Sequence, residues 1–421
     1  MLHTSDWHVG RRFKGIDLLD YQRRAFHWLE AVIVDQGVDV LCVSGDVYDL
    51  ARPSAESVEV FDEAFSSLGA TVVNGHPLEI VITPGNHDSA RRLGVGSSLM
   101  RPNVHMRCRL EDVADPVVIN RDGQRLAIYA IPYLDPDVAR PTLRGLVDHD
   151  VERTHEGVMR AVLELVTADV ERRRSEDADL VAVMMAHAFV SGALPSDSER
   201  SLTVGGVDSV PVALFANSGL DYLALGHLHR PQPVDVPRVD DDSSVFHCGR
   251  TPVARYSGSL MAYSFSERCD APVVGNGKSV VVFDVSDGSI HDVRTVPVQS
   301  GQPALVRVEG TVEEALGDLA QGHDEDWVSV VIHATEYPRG IYAKIDSRYA
   351  HALEKQFVID RSDEMDSGGR RMADLREAND EMDILDGFVR FMVGRDPHPQ
   401  ERAVLSEALT QVRGAGSEVA R

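Results

Sequence analysis

The chain has 421 residues, 43% of them hydrophobic, and carries 42 basic against 67 acidic side chains for a formal charge of −25. That length calls for two or three domains with ample material for their cores. The charge excludes a general electrostatic hold on nucleic acid, which draws its affinity from Lys and Arg neutralising phosphates, so a polyanionic substrate needs a local patch, metal ions or a partner protein.

From residue 1 to about 270, short β-type runs alternate with amphipathic helical stretches, the pattern of an α/β domain. The runs are "LHTS", "VDVLCVSG", "LEIVITPG", "RLAIYAIPY", "DLVAVMMAH", "LDYLALGH" and "VARYSGS". Between them, "DYQRRAFHWLEAVIVDQG" and "SAESVEVFDEAFSSLG" repeat apolar residues at helical spacing, the first ending at a glycine and the second starting at a capping serine. Residues 280–345 read as a small α+β module, "RSDEMDSGGRRMADLREAND" as a charged linker, and "DILDGFVRFMV" and "HPQERAVLSEALTQV" as two amphipathic C-terminal helices. The expected division is 1–270 catalytic, 271–360 capping, 361–380 linker and 381–421 helical hairpin. No run reaches the roughly eighteen apolar residues of a membrane helix, and the N-terminus lacks a signal-peptide pattern, so a cytoplasmic address is expected. Four scattered cysteines without a C-x-x-C pair give no disulfide framework or thiolate zinc site, and Cys42 reads as a core residue.

Polar side chains cluster where the apolar runs stop. The first run ends in Asp6 and His8, two apart and so on one side of an extended backbone. The second ends in Asp46, the third in Asn86, His87 and Asp88, the fifth in His187, and the sixth in His227 and His229. In open α/β sheets the carboxyl ends of strands are where ligands bind, so these positions can converge although they are far apart in the chain. Seven Asp, Asn and His donors without a thiolate are too many for one ion and suit two divalent cations sharing a carboxylate, of the Mn, Fe, Zn or Mg kind. Glycines precede Asp46, Asn86 and His227, where a backbone has to turn tightly beneath ions.

The ordered set D-x-H, G-D-x-x-D, G-N-H-D, a lone His behind a strand, and G-H-x-H resembles the calcineurin-like metallophosphoesterases. Within them, "LHTSDWHVGR", "SGDVYD", "PGNHDS", "SDSERSLTVGG", "YLALGHLHRPQ" and "YSGSLMAYSFSE" resemble the bacterial SbcD nuclease subunits, counterparts of Mre11. The resemblance implies a four-layer sandwich of two β-sheets flanked by helices, a small α+β capping domain and C-terminal helices. It also implies two divalent metal ions, most often Mn. One would be held by Asp6, His8, Asp46 and His229, the other by Asp46, Asn86, His187 and His227. His87 would assist the phosphate or leaving oxygen, and Asp88 would orient His87. Asp49 either contacts substrate or braces its loop. The implied activity is 3′–5′ exonuclease and endonuclease hydrolysis of DNA in recombination and repair. The implied assembly is a homodimer joined to a coiled-coil ATPase resembling SbcC, with the C-terminal helices docking on that partner.

Leu50 and Ala51 stand where phosphoprotein phosphatases carry Arg and Gly, and Asp88 where they carry Glu, which disfavours a protein phosphatase. No G-x-x-x-x-G-K-[ST] loop and no G-x-S-x-G elbow is present, so neither ATP hydrolysis nor serine hydrolysis has support. The alternatives left open are a phosphodiesterase for small nucleotides and a non-catalytic scaffold of the same fold. His247 and Cys248 read as packed core residues, and His76, His105, His149 and His155 as solvated ones.

Overall fold

A computed structural model describes residues 1–199, 209–238, 244–269, 273–359, 382–383, 385–387, 389 and 395–418. Its strands, in chain order, are β1 (Leu2–Thr4), β2 (Val40–Ser44), β3 (Glu79–Thr83), β4 (Val104–Met106), β5 (Val117–Arg121), β6 (Gln124–Ala130), β7 (Val181–His187) and β8 (Tyr222–Gly226). They continue as β9 (Gln232–Val234), β10 (Val253–Tyr256), β11 (Ser279–Ser286), β12 (Ser289–Pro297), β13 (Leu305–Gly310), β14 (Trp327–Ala334) and β15 (Ala352–Ile359). The main helices are α1 (Leu19–Asp35), α2 (Ala55–Ala70), α3 (His155–Glu176) and α4 (Pro399–Glu418).

Two six-stranded mixed sheets form the larger body, in the orders β12-β11-β1-β2-β3-β4 and β9-β10-β8-β7-β6-β5. Strand alternation builds their layers. In β2, Val40 and Cys42 face the space between the sheets, while Leu41 and Val43 face outward with Phe26 and Leu29 of α1 and Val60 of α2. In β7, Val181, Val183 and Met185 face inward and Ala182, Met184 and Ala186 join Val162 and Val166 of α3. Helix, sheet, sheet and helix therefore stack as the expected four layers. The helices end as their sequences dictate. Gly37 at φ 62° lets Val38 N–H donate back to Ile33 O at 2.9 Å beyond α1, and Ser54 Oγ accepts from Ser57 N–H ahead of α2.

β1, β2, β3 and β4 run parallel, as do β6, β7, β8 and β10, so the carboxyl ends within each sheet share one edge. The hairpin β11–β12, which falls within the 271–360 stretch, extends the first sheet: β11 pairs antiparallel with β1, Leu2 opposite Val282. β13–β15 form a separate three-stranded sheet whose Trp327 packs against Phe13 and Tyr21.

The chain divides into two compact units, residues 1–332 with 340–356, and residues 333–339 with 357–421. In the second, the start of α4 is held by Glu401, which accepts from the Arg395 guanidinium and from His398 N–H. The expected linker 361–380 lies outside the described residues, as does most of the first C-terminal helix. No helix among the described residues is long and apolar enough to cross a membrane.

Candidate metal centre

His187 continues the inward parity of Val181, Val183 and Met185, so its ring stands between the sheets at the carboxyl end of β7. A carbonyl only accepts, so the 3.0 Å contact of Nδ1 with Ser44 O puts the ring proton on Nδ1 and turns Nε2 inward. Nε2 lies 2.9 Å from Asn86 Oδ1 and 3.4 Å from Asp46 Oδ2. His87 follows the same rule: Nδ1 donates to the Asp49 carbonyl at 2.7 Å, leaving Nε2 3.9 Å from Asp46 Oδ2. His8 brings its Nε2 to 3.5 Å from that oxygen and to 2.9 Å from Nε2 of His229. One carboxylate oxygen thus faces three imidazole nitrogens, while Asp46 Oδ1 is occupied by the His87 main-chain N–H at 2.8 Å.

Asp6 completes the ring of donors. Its carboxylate accepts from Ser5 Oγ at 2.5 Å and from His227 N–H at 3.1 and 3.2 Å. The donor atoms of Asp6, His8 and His229 lie within 4.8 Å of one another, as do those of Asp6, Asp46 and His187, and those of His8, Asp49 and His87. His227 stands further out, its ring centroid 5.4 Å from that of His187. All the donors except the half-exposed Asn86 and Asp49 are buried.

The backbone is bent to make this possible. Asp6, His8, Asp46 and His227 all have positive φ, at 53°, 42°, 51° and 106°. Each such residue costs on the order of 1–3 kcal/mol and persists only where its surroundings over-determine it. Here Asp6 N–H donates to Gly45 O and His8 N–H to Asp46 O, so the loops after β1 and β2 brace each other. All three preceding glycines are sterically required, Gly45 because a Cβ there, at φ 87°, would sit 2.2 Å from His187 Nδ1. A Cβ on Gly226 would sit 1.8 Å from Ser44 O, and one on Gly85 would sit 2.1 Å from Asp46 Oδ1.

The electrostatics favour lone-pair donors at His8, His227 and Asp46, while His187 and Asp6 are pushed toward their protonated forms. Burial, against the pull of Asp46, drives His8 well below the ordinary histidine range, and burial with the neighbouring His187 does the same to His227. Burial alone would raise Asp46, but His187, His8 and His87 outweigh it and hold the carboxyl well below its usual range. Burial alone would lower His187, but Asp46, Asp6 and the Ser44 carbonyl raise it to about 9. Burial and the charge of Asp46 raise Asp6. Buried His8 Nδ1 has no hydrogen-bond partner and faces Asp49 Oδ1 at 3.6 Å. That orphan fits a cation at Nε2, because the imidazole proton then sits on Nδ1 toward a carboxylate. Nε2 of His187 and Oδ1 of Asn86, acceptors 2.9 Å apart, likewise need a proton or a cation between them.

The structure corrects the expectation for Asp88. Its two oxygens accept main-chain N–H groups of Val47, Tyr48 and Gly85 at 2.9–3.0 Å, so it clamps the loop carrying Asp46. The Asp49 carbonyl orients His87 instead. Burial and the nearby Asp46 push Asp88 up to about 7 despite those bonds. Asp49 meets Arg11, whose Nη1 is 3.5 Å from Oδ1. His155 is buried, against the solvated reading, and His247 is exposed, against the packed one. Sequence reasoning gave no role to Ser198, Glu199, Glu267 or Lys278, which gather behind His229. The stretches "SDSERSLTVGG" and "YSGSLMAYSFSE" contain three of them, Ser198, Glu199 and Glu267, without assigning a role.

A family model described as calcineurin-like phosphoesterase matches residues 1–231, more than half of the chain. A curated relative from Bacillus subtilis (strain 168), the SbcD component of the nuclease SbcCD, is 30% identical over 341 residues, covering 80% of this chain and 79% of the relative. Among solved structures, TT1561 of Thermus thermophilus aligns over 71% of this chain and 98% of its own, with 10% identity and a TM-score of 0.34.

Proposed function

Because the chain belongs to the calcineurin-like phosphoesterase family, we propose that it is a Mn-dependent DNA nuclease, the SbcD-like subunit of an SbcCD-type complex. Two divalent ions would be held here, one by Asp6, His8, Asp46 and His229 and the other by Asp46, Asn86, His187 and His227. The reading rests on one observation above all, that Asp46 Oδ2 faces Nε2 of His8, His187 and His87 at 3.4–3.9 Å. Two divalent cations there supply a lowered pKa for water and offset charge on the phosphoryl oxygens. His87, its Nδ1–H held by the Asp49 carbonyl, would in its doubly protonated form hand the Nε2 proton to the leaving oxygen and be left neutral. Arg11, against Asp49, offers a cation to the phosphate backbone in an otherwise acidic chain.

The activity is 3′–5′ exonuclease and endonuclease hydrolysis, in the cytoplasm, in a homodimer bound to an SbcC-like coiled-coil ATPase. The relative's name supports that partner. Residues 1–270, with the hairpin β11–β12 that extends the first sheet, make the catalytic domain, the rest of 271–360 the capping domain, 361–380 a linker and 381–421 the partner-binding helices.

The test is cleavage of labelled duplex DNA by the full chain with Mn²⁺, compared with a cyclic nucleotide. DNA cleavage should fall by about 10²-fold or more in His87→Ala while bound Mn²⁺ is unchanged. Full-rate cleavage by that variant removes His87 from the reaction. Turnover of the cyclic nucleotide alone replaces the nuclease reading with a small-nucleotide one.

A further inference from the structure

His229 is held at three points. Its main-chain N–H donates to Glu199 Oε1 at 2.8 Å, and its carbonyl accepts from Lys278 Nζ at 2.7 Å and Ser259 N–H at 3.1 Å. Its ring Nδ1 meets Ser198 Oγ at 2.5 Å. Ser198 Oγ in turn lies 2.6 Å from Glu267 Oε1, and Glu267 Oε2 pairs with Lys278 Nζ, whose remaining contact is Ser259 Oγ at 3.1 Å. Glu267 and Lys278 are both fully enclosed, with side chains 0% and 2% exposed. A buried ion pair is a costly element unless every donor and acceptor is used, and here each is.

Proton accounting along this chain has one solution. Glu267 Oε2 is paired with the Lys278 ammonium and Oε1 also accepts from Tyr263 N–H at 3.1 Å, so the carboxyl stands there as the anion of a buried ion pair. An ionised carboxylate only accepts, so the Ser198 hydroxyl proton points at Glu267 Oε1. Ser196 does not change this, because its own proton goes to Glu199 Oε2 at 2.8 Å. With its proton spent, Ser198 Oγ accepts at Nδ1. His229 therefore carries its proton on Nδ1 and a lone pair on Nε2, the atom that meets His8 Nε2 at 2.9 Å.

We propose that Ser198, set by the buried Glu267–Lys278 pair, is a positioning residue that fixes His229 in the tautomer offering Nε2 to a divalent cation. This rests on reading the donor cluster as a cation centre. It also accounts for the "SDSER" stretch, in which Ser198 selects the proton position, Glu199 holds the His229 backbone, and the Ser198 carbonyl accepts from Arg11 Nη2 at 2.6 Å. One short loop thereby ties a donor of the centre to the cation beside Asp49.

The experiment is calorimetric titration of the full chain with Mn²⁺, together with thermal unfolding in chelator. The wild-type chain should take up two ions. In Ser198→Ala the affinity for one of them should fall by about 10–100-fold, with the other ion and the chelator melting curve unchanged. Ser198→Thr, which keeps the hydroxyl, should restore binding. Glu267→Leu combined with Lys278→Met replaces the pair by apolar side chains and removes the acceptor of the Ser198 proton. The hydroxyl then turns toward Nδ1, so this chain should lose the same ion. Unchanged Mn²⁺ affinity in Ser198→Ala, or an equal loss of both ions, overturns the proposal. A wild-type chain that binds no Mn²⁺ overturns instead the reading on which it rests.

Discussion

The bodies and the carboxyl ends of the same strands obey opposite rules. Within β7, Val181, Val183 and Met185 are completely buried in the space between the sheets, and two residues further the same parity delivers His187. Within β2, Val40 and Cys42 pack between the sheets, and Asp46 follows just beyond the strand at a positive φ. The bodies pair main-chain groups in ladders and bury apolar surface, which is where the folding free energy comes from. The ends spend part of it on bent backbone and enclosed polar groups. The two sheets also contribute unequally to that edge. The first supplies the carboxylates Asp6, Asp46 and Asp49 and the amide of Asn86, with the imidazoles of His8 and His87. The second supplies only imidazoles, His187, His227 and His229.

If ends and bodies are separable, substitutions at each should move different observables. The largest effect belongs to Asp46→Asn, which keeps the shape of the side chain and the bond from His87 N–H but withdraws the shared anionic oxygen. Mn-dependent DNA cleavage should fall by more than about 10³-fold, the loss of several kcal/mol of charge stabilisation. Both ions should be lost, with the melting temperature in chelator close to that of the wild type. Retention of two tightly bound ions would remove Asp46 from the centre. Met185→Ala is the converse, and somewhat smaller. It hollows the space between the sheets two residues before His187 and should cost about 2–5 kcal/mol in urea unfolding. Cleavage per folded molecule should be unchanged. A collapse of activity in fully folded Met185→Ala would show that bodies and ends are not separable.

The parts of the site legible in the sequence are those where a residue's role follows from its position on a strand. Asp6, His8, Asp46, Asn86, His187, His227 and His229 all follow apolar runs, and parallel strands carry their ends to a common edge. What escaped was direction and distant pairing. Asp88 is adjacent to His87 in the chain, which suggested a side-chain pair, yet successive residues point different ways and its carboxylate caps the amides of another loop. The strands β11 and β12 read as part of a separate α+β module, and nothing local says that β11 will pair with β1 near the N-terminus. Ser198, Glu267 and Lys278 lie on separate segments with no periodicity among them, so only the folded arrangement reveals that they share one proton path.

The smallest effect tests the comparison inside a single strand. His3 and His8 are both buried and only five residues apart, but His3 belongs to the body of β1, beside Tyr222, whose hydroxyl is 3.2 Å from Nδ1. Burial, helped by Arg255, pushes His3 down to about 3 against the pull of the Leu225 carbonyl. The unfolded chain therefore takes up a proton at this position below about pH 6.5 while the folded chain does not until about 3. Between those limits the unfolded state binds more protons, so stability falls as pH falls, by about 1.4 kcal/mol per pH unit from this residue. Urea unfolding at pH 6, 5 and 4 should show a slope shallower by that amount in His3→Gln than in the wild type. Parallel slopes would mean that His3 is protonated inside the fold. The imidazole in the body of β1 would then be as open to charge as that of His187 at the end of β7, and the contrast between body and end would fail at its simplest point.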